Sequence, residues 1–301
     1  MLDYKLVEAF AAVIEEKGFD RAAQRLHITQ SAVSQRIRLL EGYCGRILVQ
    51  RTSPPRPTEA GIALLRHFSQ VRHLEEDLLS LSAPPTSGRS TSLALGVNAD
   101  SLATWFLPAV RPFLSCRKVV LDLHVDDQDR THRLLQEGKV LGCVTNRDKP
   151  LQGCRRIGLG VMEYILCSSP AFSSAWFPAG FCLAAAERAP IIRFNRQDGL
   201  NEQVFRLLFG TTPPPDAPTF FVPSSESFVD FISTGSCYGL VPRLQTNRLL
   251  AAGELIDLAP GFRLEVPLFW HCWNLRSELL EGFTEQLSTG AGKILGVATR
   301  T

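Results

Sequence analysis

The sequence predicts an α/β protein in three parts: an all-α winged helix-turn-helix domain at the N-terminus, a long linking helix, and a two-lobed α/β domain. Three observations predict it. The stretch GFDRAAQRLHITQSAVSQRIR, residues 18–38, reads as two short helices joined by a tight turn. Apolar positions from Leu64 to Leu81, spaced by threes and fours, mark one long helix. From residue 93 onward strand-like and helix-like runs alternate, the pattern of a domain with largely parallel sheets.

Residues 3–16 form the first helix, with Leu6, Val7, Phe10, Val13 and Ile14 inward. The second helix buries Phe19, Ala22, Ala23 and Leu26, and its small alanines let another helix cross close by. His27-Ile28-Thr29 is the turn: Ile28 plugs the gap between helices and Thr29 accepts a backbone N–H as N-cap. The third helix buries Ala32, Val33, Ile37 and Leu40, which leaves Gln30, Ser31, Ser34, Gln35, Arg36 and Arg38 to a partner. Such side chains hydrogen-bond base edges and phosphates. Ile47–Val49 is β-like, and Pro54, Pro55 and Pro57 exclude helix and central strand, so Arg51 to Arg56 is the tip and return of a wing.

An ordinary helical hairpin with a solvated basic face is the alternative, and charge separates the two. Between residues 21 and 56 seven arginines stand against Glu41 alone, a local balance of +6 in a chain of net charge +2. That concentration is the footprint of phosphate contact, so double-stranded DNA is the first partner. Thr29 to Arg38 enters the major groove, with Gln30, Ser31, Ser34 and Gln35 on base edges and Arg36 and Arg38 on bases or phosphates. Arg51 and Arg56 of the wing track the backbone.

Thr58 is the N-cap of the long helix, and Glu59 sits favourably in its first turn. Leu64, Phe68, Val71, Leu74, Leu78 and Leu81 approximate a coiled-coil seam, so the expected cover is the same helix of a second copy. The chain's own second domain is the alternative. Residues 82–92 read as a Pro/Ser/Gly linker. Strands are expected at Leu93–Val97, Val119–Val125, Leu141–Thr145, Tyr164–Ser168, Ile191–Phe194, Thr219–Val222, Tyr238–Val241 and Pro267–Trp270. Helices are expected at 101–114, 129–138, 201–209, 225–234, 243–252 and 276–295.

At 301 residues, 45% hydrophobic and 21% charged, the chain has room for about two globular domains. It shows no signal peptide and no run of roughly 20 apolar residues, so no membrane is expected as partner and a cytoplasmic location is. Its eight cysteines lack CxxC or Cys/His spacing, which points to reduced thiols, with no metal and no cofactor. Neither GxSxG, nor a phosphate loop, nor HExxH occurs, so catalysis is not expected. A protein that only binds a solute would have no use for the first three helices.

Ala22-Ala23, Leu26, Gln30-Ser31-Ala32-Val33-Ser34, Ile37, Leu40-Glu41, Arg51 and Thr58-Glu59-Ala60-Gly61 together resemble the LysR-type transcriptional regulators. The order of parts is similar over the whole length. ITQSAVSQRI, RTSPPRPTEAG, VNADSLATWFLPA, SSESFV and GELIDL resemble the arginine- and lysine-responsive branch, known as ArgP or LysG. The resemblance implies a DNA-binding domain at 1–58 and a linker and dimerisation helix with hinge at 59–90. A periplasmic-binding-protein-like effector domain follows at 91–301, with lobe I at 91–162 and 268–301 and lobe II at 163–267. It also implies a homodimer or homotetramer (a dimer of dimers) that senses arginine or lysine. Control of a basic amino acid exporter or a lysine/arginine-related gene goes with it, as does altered contact with RNA polymerase. Two segments depart from the pattern: Lys139-Val140-Leu141-Gly142, and the Gly-rich tail from Thr289.

In two-lobed α/β domains ligands sit beyond strand ends, at helix N-termini. The segment Asn98–Thr104 is one such place: backbone N–H groups of Ser101 and Leu102, with the Ser101 and Thr104 hydroxyls, suit an α-carboxylate. Asp100 either caps the helix or faces an α-ammonium. Asp126, Asp127 and Asp129 follow another strand, as cation partners or as a solvated loop. Ser225 and Glu226 follow a third. A cation in a partly dry cleft needs a carboxylate, which makes Asp100, Asp126, Asp127 and Glu226 the candidates. Trp105, Trp270 and His271 are pocket wall or core.

Overall fold

The computed structural model describes residues 2–82, 91–126 and 131–296. Helix α1 (Tyr4–Glu15) starts where the Asp3 carboxylate accepts the Lys5 N–H at 2.9 Å. It packs with α2 (Phe19–Arg25) and α3 (Gln30–Cys44) around Val7, Phe10, Val13, Ala22, Ala23, Val33, Ile37 and Leu40. Ala32 is only half-buried, because at about 100° per residue it falls at the edge of the Val33, Ile37 and Leu40 face. The wing is an antiparallel pair, β1 (Val49–Gln50) and β2 (Arg56–Pro57). It begins two residues later than Ile47–Val49 suggests, and Ile47 is exposed. Gly61 lets the wing close on the next helix, since a Cβ there would lie 2.3 Å from the Leu48 carbonyl oxygen.

Helix α4 (Glu59–Ser82) has three surroundings along its length. Leu64, Leu65 and Phe68 pack on the three-helix core. Arg66 lies over the Trp273 ring at 5.6 Å and against Gly138, while buried His73 is 3.2 Å from Ser277 Oγ. Leu74 and Leu78 remain exposed. The alternative of cover by the chain's own α/β domain holds for one face of this helix, while Leu74 and Leu78 are exposed in the single chain. Of the expected linker, residues 83–90 lie outside the described residues.

The α/β domain starts with β3 (Thr91–Asn98), α5 (Ala99–Ser101), a π turn (Leu102–Phe106), α6 (Leu107–Cys116), β4 (Val119–Asp126), α7 (Thr131–Gln136) and β5 (Gly142–Thr145). Strand β6 (Cys154–Ser168) then carries the chain into α8 (Pro170–Trp176), α9 (Leu183–Ala186), β7 (Ile191–Arg193), α10 (Leu200–Phe209), β8 (Thr219–Phe221), α11 (Ser225–Ser233), β9 (Gly239–Pro242), α12 (Arg243–Ala251) and β10 (Ile256–Asp257). Strand β11 (Leu264–Trp273) brings it back to α13 (Glu278–Ile294).

Among the described residues the main sheet has seven strands in the order β10-β6-β11-β5-β3-β4, with β9 on the other edge of β6. Within this sheet parallel pairing is confined to β3 with β4 and with β5, while β11 and β6 run antiparallel to each other and to their other neighbours; β7 and β8 form a separate parallel pair. The sheet is thus mixed rather than largely parallel, because β6 and β11 cross the domain in opposite directions. The first half of β6 was illegible: Arg155, Arg156, Gly158 and Gly160 break its apolar pattern. Ile165, Ile192, Phe228, Ile232, Val241 and Leu255 belong to a separate core in the part between β6 and β11. The Gly-rich tail is helical as far as Ile294, and Gly290 lets α13 approach α6, where a Cβ would lie 2.6 Å from the Ala109 Cα.

Candidate functional sites

The candidate DNA-reading face is built by α3 and the wing. Thr29 Oγ1 accepts the Ala32 N–H at 3.2 Å and shares a 2.9 Å hydrogen bond with Ser31 Oγ, so both residues also shape the helix start. At about 100° per residue, Gln30, Ser31, Ser34, Gln35 and Arg38 share one arc of α3. Arg36 falls on the other flank, beside Val33 and Leu40, and is half-buried. A shallow pocket lined by Phe19, Gln30, Ser34, Arg51, Thr52 and Pro55 joins helix and wing, and so brings Arg51 to the reading helix. Arg56 is exposed on the returning strand.

Part of the charge of this segment is engaged within the chain. Arg25 is paired with Glu15 at 2.5 Å and Glu16 at 3.2 Å, acids lying just before the counted window, so it is not a free cation. Glu41 Oε1 accepts the N–H groups of Leu48 at 2.8 Å and Val49 at 3.3 Å, which turns the one acid of the window inward to hold the wing.

The cleft of the α/β domain is open to solvent. Its lining includes Asn98, Asp100, Tyr164, Asp198, Asn201 and Phe228. Asp100 is central. Its Oδ2 accepts the Tyr164 hydroxyl proton at 2.6 Å, and its Oδ1 accepts that of Ser225 at 2.6 Å. Ser225 comes from α11, so one carboxylate ties β3's end to β6 and to the part beyond β6. Asn98 is 1% exposed, with neither amide atom hydrogen-bonded within the chain. Asp198 Oδ1 accepts the Leu200 N–H at 3.0 Å and Oδ2 that of Phe194 at 3.2 Å, which fixes the carboxylate at the cleft wall. Asn201 is buried one turn further on, its Oδ1 without a hydrogen-bond partner in the chain.

Several sequence-based candidates fall elsewhere. The helix after β3 opens at Ala99 with Asn98 in the cap position, and the Leu102 N–H is bonded to the Ala99 carbonyl, so Leu102 is not a free donor. Ser101 is fully buried and accepts the Trp105 Nε1–H at 3.0 Å; the Thr104 hydroxyl donates to the Asp100 carbonyl at 2.6 Å. Both are occupied by the helix itself. Asp100 lies inside the first turn rather than at the cap. Glu226 is exposed, 3.4 Å from Ser224 Oγ, because helical phase turns Ser225 and Phe228 to the cleft and Glu226 away. The backbone of Asp126 pairs with Asn98 at the end of β4; its side chain, and Asp127 and Asp129, lie outside the described residues. Trp105 and Trp270 are fully buried in the main core. His271 is fully buried with its ring 6.0 Å from that of His132, and burial, with the neighbouring His132 and Arg156, pushes it down to about 4.

Sequence reasoning missed Asp198, Asn201, Tyr164 and Phe194. The signal for three of them was available: Phe194 to Asn201 connects a strand to a helix, the place where Asn98 and Ser225 were sought. Tyr164 sits in mid-strand on β6, where no strand-end rule reaches.

The chain matches two family models: bacterial regulatory helix-turn-helix protein, lysR family, over residues 4–62, and LysR substrate binding domain over residues 86–291. The chain belongs to the LysR family. It is 43% identical to the HTH-type transcriptional regulator ArgP of Aeromonas salmonicida over 286 residues, 95% of each chain. ArgP of Escherichia coli K12 is 41% identical over 293 residues, 97% of this chain and 98% of the relative. Among solved structures, ArgP from Mycobacterium tuberculosis superposes with a TM-score of 0.87 at 39% identity, covering 99% of this chain and all of that one. Full-length LysG from Corynebacterium glutamicum, with bound effector Arg, gives 0.78 at 32% identity over 98% of this chain and all of that one. This LysR-family chain is accordingly a DNA-binding transcriptional regulator with an effector domain. Among its described residues no helix is long and apolar enough to cross a membrane.

Proposed function

We propose that this regulator senses arginine or lysine in the cleft between β3 and the α10 and α11 ends. The observation that carries the reading is the lining: Asp100 and Asp198 enter it, and no cationic side chain does among the described residues. Such a wall favours a cationic ligand, since two carboxylates set in it with no cation beside them on the lining attract positive charge and form charge-assisted hydrogen bonds. Asn98 and Asn201 supply amide groups for a zwitterionic head or a side chain. The arginine bound to the LysG relative supports the same chemistry.

DNA is read by Gln30, Ser31, Ser34, Gln35 and Arg38, held by the Thr29 cap, with Arg51 and Arg56 on the backbone and Arg36 at the flank. The working units are residues 1–58, 59–90 and 91–301. Dimers or dimers of dimers form through α4, whose exposed Leu74 and Leu78 offer a seam. The regulated gene is an exporter of basic amino acids or part of lysine/arginine metabolism, with RNA polymerase contacted at the promoter. The ligand acts only if its affinity differs between two arrangements of the assembly.

The test is linkage. Operator affinity, followed by fluorescence anisotropy, changes when L-arginine or L-lysine is added, and operator DNA changes amino acid affinity by the same factor. Identical operator affinity and footprint with and without saturating amino acid would refute sensing.

A further inference from the structure

Arg193 ends β7 just before the cleft loop, its side chain 16% exposed. Its Nη2 donates to the Asp198 carbonyl and, at 2.7 Å, to Glu202 Oε1. The loop 194–199 is thereby closed at both ends: Arg193 grips its last turn, Glu202 anchors Arg193 from the first turn of α10, and the Asp198 carboxylate accepts the N–H groups of Phe194 and Leu200. Arg193 does not line the cleft. A half-buried ion pair brings little net stability, because desolvation offsets attraction. What this pair does fix is where Asp198 and Asn201 stand.

We propose that Arg193 is a positioning residue of the effector cleft: with Glu202 it sets effector affinity by holding Asp198 and Asn201 in place, without touching the ligand. The proposal rests on the basic amino acid reading above. Truncating Arg193 frees the Asp198 carbonyl and leaves Glu202 unpaired. The loop then samples other positions, and binding must reorder it.

The experiment is calorimetric titration of full-length protein with L-arginine and L-lysine up to millimolar concentration, in a double-mutant cycle. Arg193→Ala weakens binding about tenfold or more. Arg193→Lys, which keeps the charge and a donor, recovers most of the loss, and Glu202→Gln gives a smaller loss. In an Asp198→Asn background Arg193→Ala costs much less than it does alone, because the group it positions is already disabled. Operator affinity without amino acid, which reports the fold, stays at the wild-type value in Arg193→Ala, Arg193→Lys and Glu202→Gln. Wild-type amino acid affinity in Arg193→Ala, beside a clear loss in Asp198→Asn, would overturn the proposal, as would fully additive losses. Wild-type affinity in Asp198→Asn would overturn the cleft reading beneath it. Should Arg193→Ala not fold, the Arg193→Lys and Glu202→Gln titrations decide: unchanged affinity in both overturns the proposal.

Discussion

The reading face and the cleft both offer polar side chains to a ligand, and they hold them in opposite ways. On α3 and the wing, Gln30, Ser31, Gln35, Arg38, Arg51 and Arg56 are exposed to solvent, the candidates for contact with a polyanion. In the cleft, Asn98 and Asn201 are buried, and Asp100 is already hydrogen-bonded from two other elements. Exposed cations lose little on binding and release counterions, so their contributions are small, numerous and salt-dependent. Partly buried carboxylates already held by hydrogen bonds have lost part of their hydration to the fold, so each is worth more and tolerates less change. A regulator needs both: a graded grip on DNA, and a cleft that rejects ligands lacking the matching charge.

The largest effect that could break this contrast is at Asp100. Asp100→Asn keeps the shape and removes the charge; effector affinity should fall about a hundredfold, as for a half-buried, hydrogen-bonded charged partner, while operator affinity without effector stays unchanged. Next is acid. His271 is held neutral to about 4, against an ordinary value near 6.5 when unfolded, so the unfolded chain binds the proton first as pH falls. Its stabilising contribution is complete above pH 6.5 and is lost on the way down to 4, by about 3 kcal/mol. His132 is lowered too, chiefly by burial, and adds in the same direction. Denaturant melts of the effector domain between pH 7 and 4 should therefore show a slope that His271→Leu flattens. An unchanged slope in the variant would place the acid sensitivity elsewhere.

On the DNA side effects are smaller. Arg51→Ala should weaken operator binding about tenfold and reduce the salt slope by about one, while Arg25→Ala, whose guanidinium is paired with Glu15 and Glu16, leaves that slope unchanged. Equal slopes for the two variants would remove the distinction between free and paired arginines. Smallest is Thr29→Ala, about 1 kcal/mol of stability from the lost cap, read by thermal melting.

The same contrast explains what could be read from sequence. The reading face is local: the apolar stripe of α2, the Thr29 cap and the arginines all lie within a short stretch, and helical periodicity alone places them. What escaped were partners just outside the window, Glu15 and Glu16 on Arg25, and the inward turn of Glu41. The cleft is assembled from residues 98–100, 164, 194–201 and 225–228, far apart in sequence and brought together by the crossing of β6 and β11. The strand-end rule reached Asn98, Asp100 and Ser225. It passed over Asp198, and it had no means of reaching Tyr164. Glu226 shows a different limit, for being one residue out of phase on a helix moves a side chain from cleft to solvent. Ser101 and Thr104 show another: a hydroxyl near a helix start is as readily spent within the helix as offered to a ligand.

The most direct test of the central claim is calorimetric titration of the full-length regulator with L-arginine, L-lysine, L-leucine and L-glutamate, repeated on Asp100→Asn and Asp198→Asn. Saturable heat from one or both basic amino acids alone, lost or strongly weakened in both variants, is the predicted result. Saturable heat from leucine or glutamate, or basic amino acid affinity unchanged in both variants, would contradict the account.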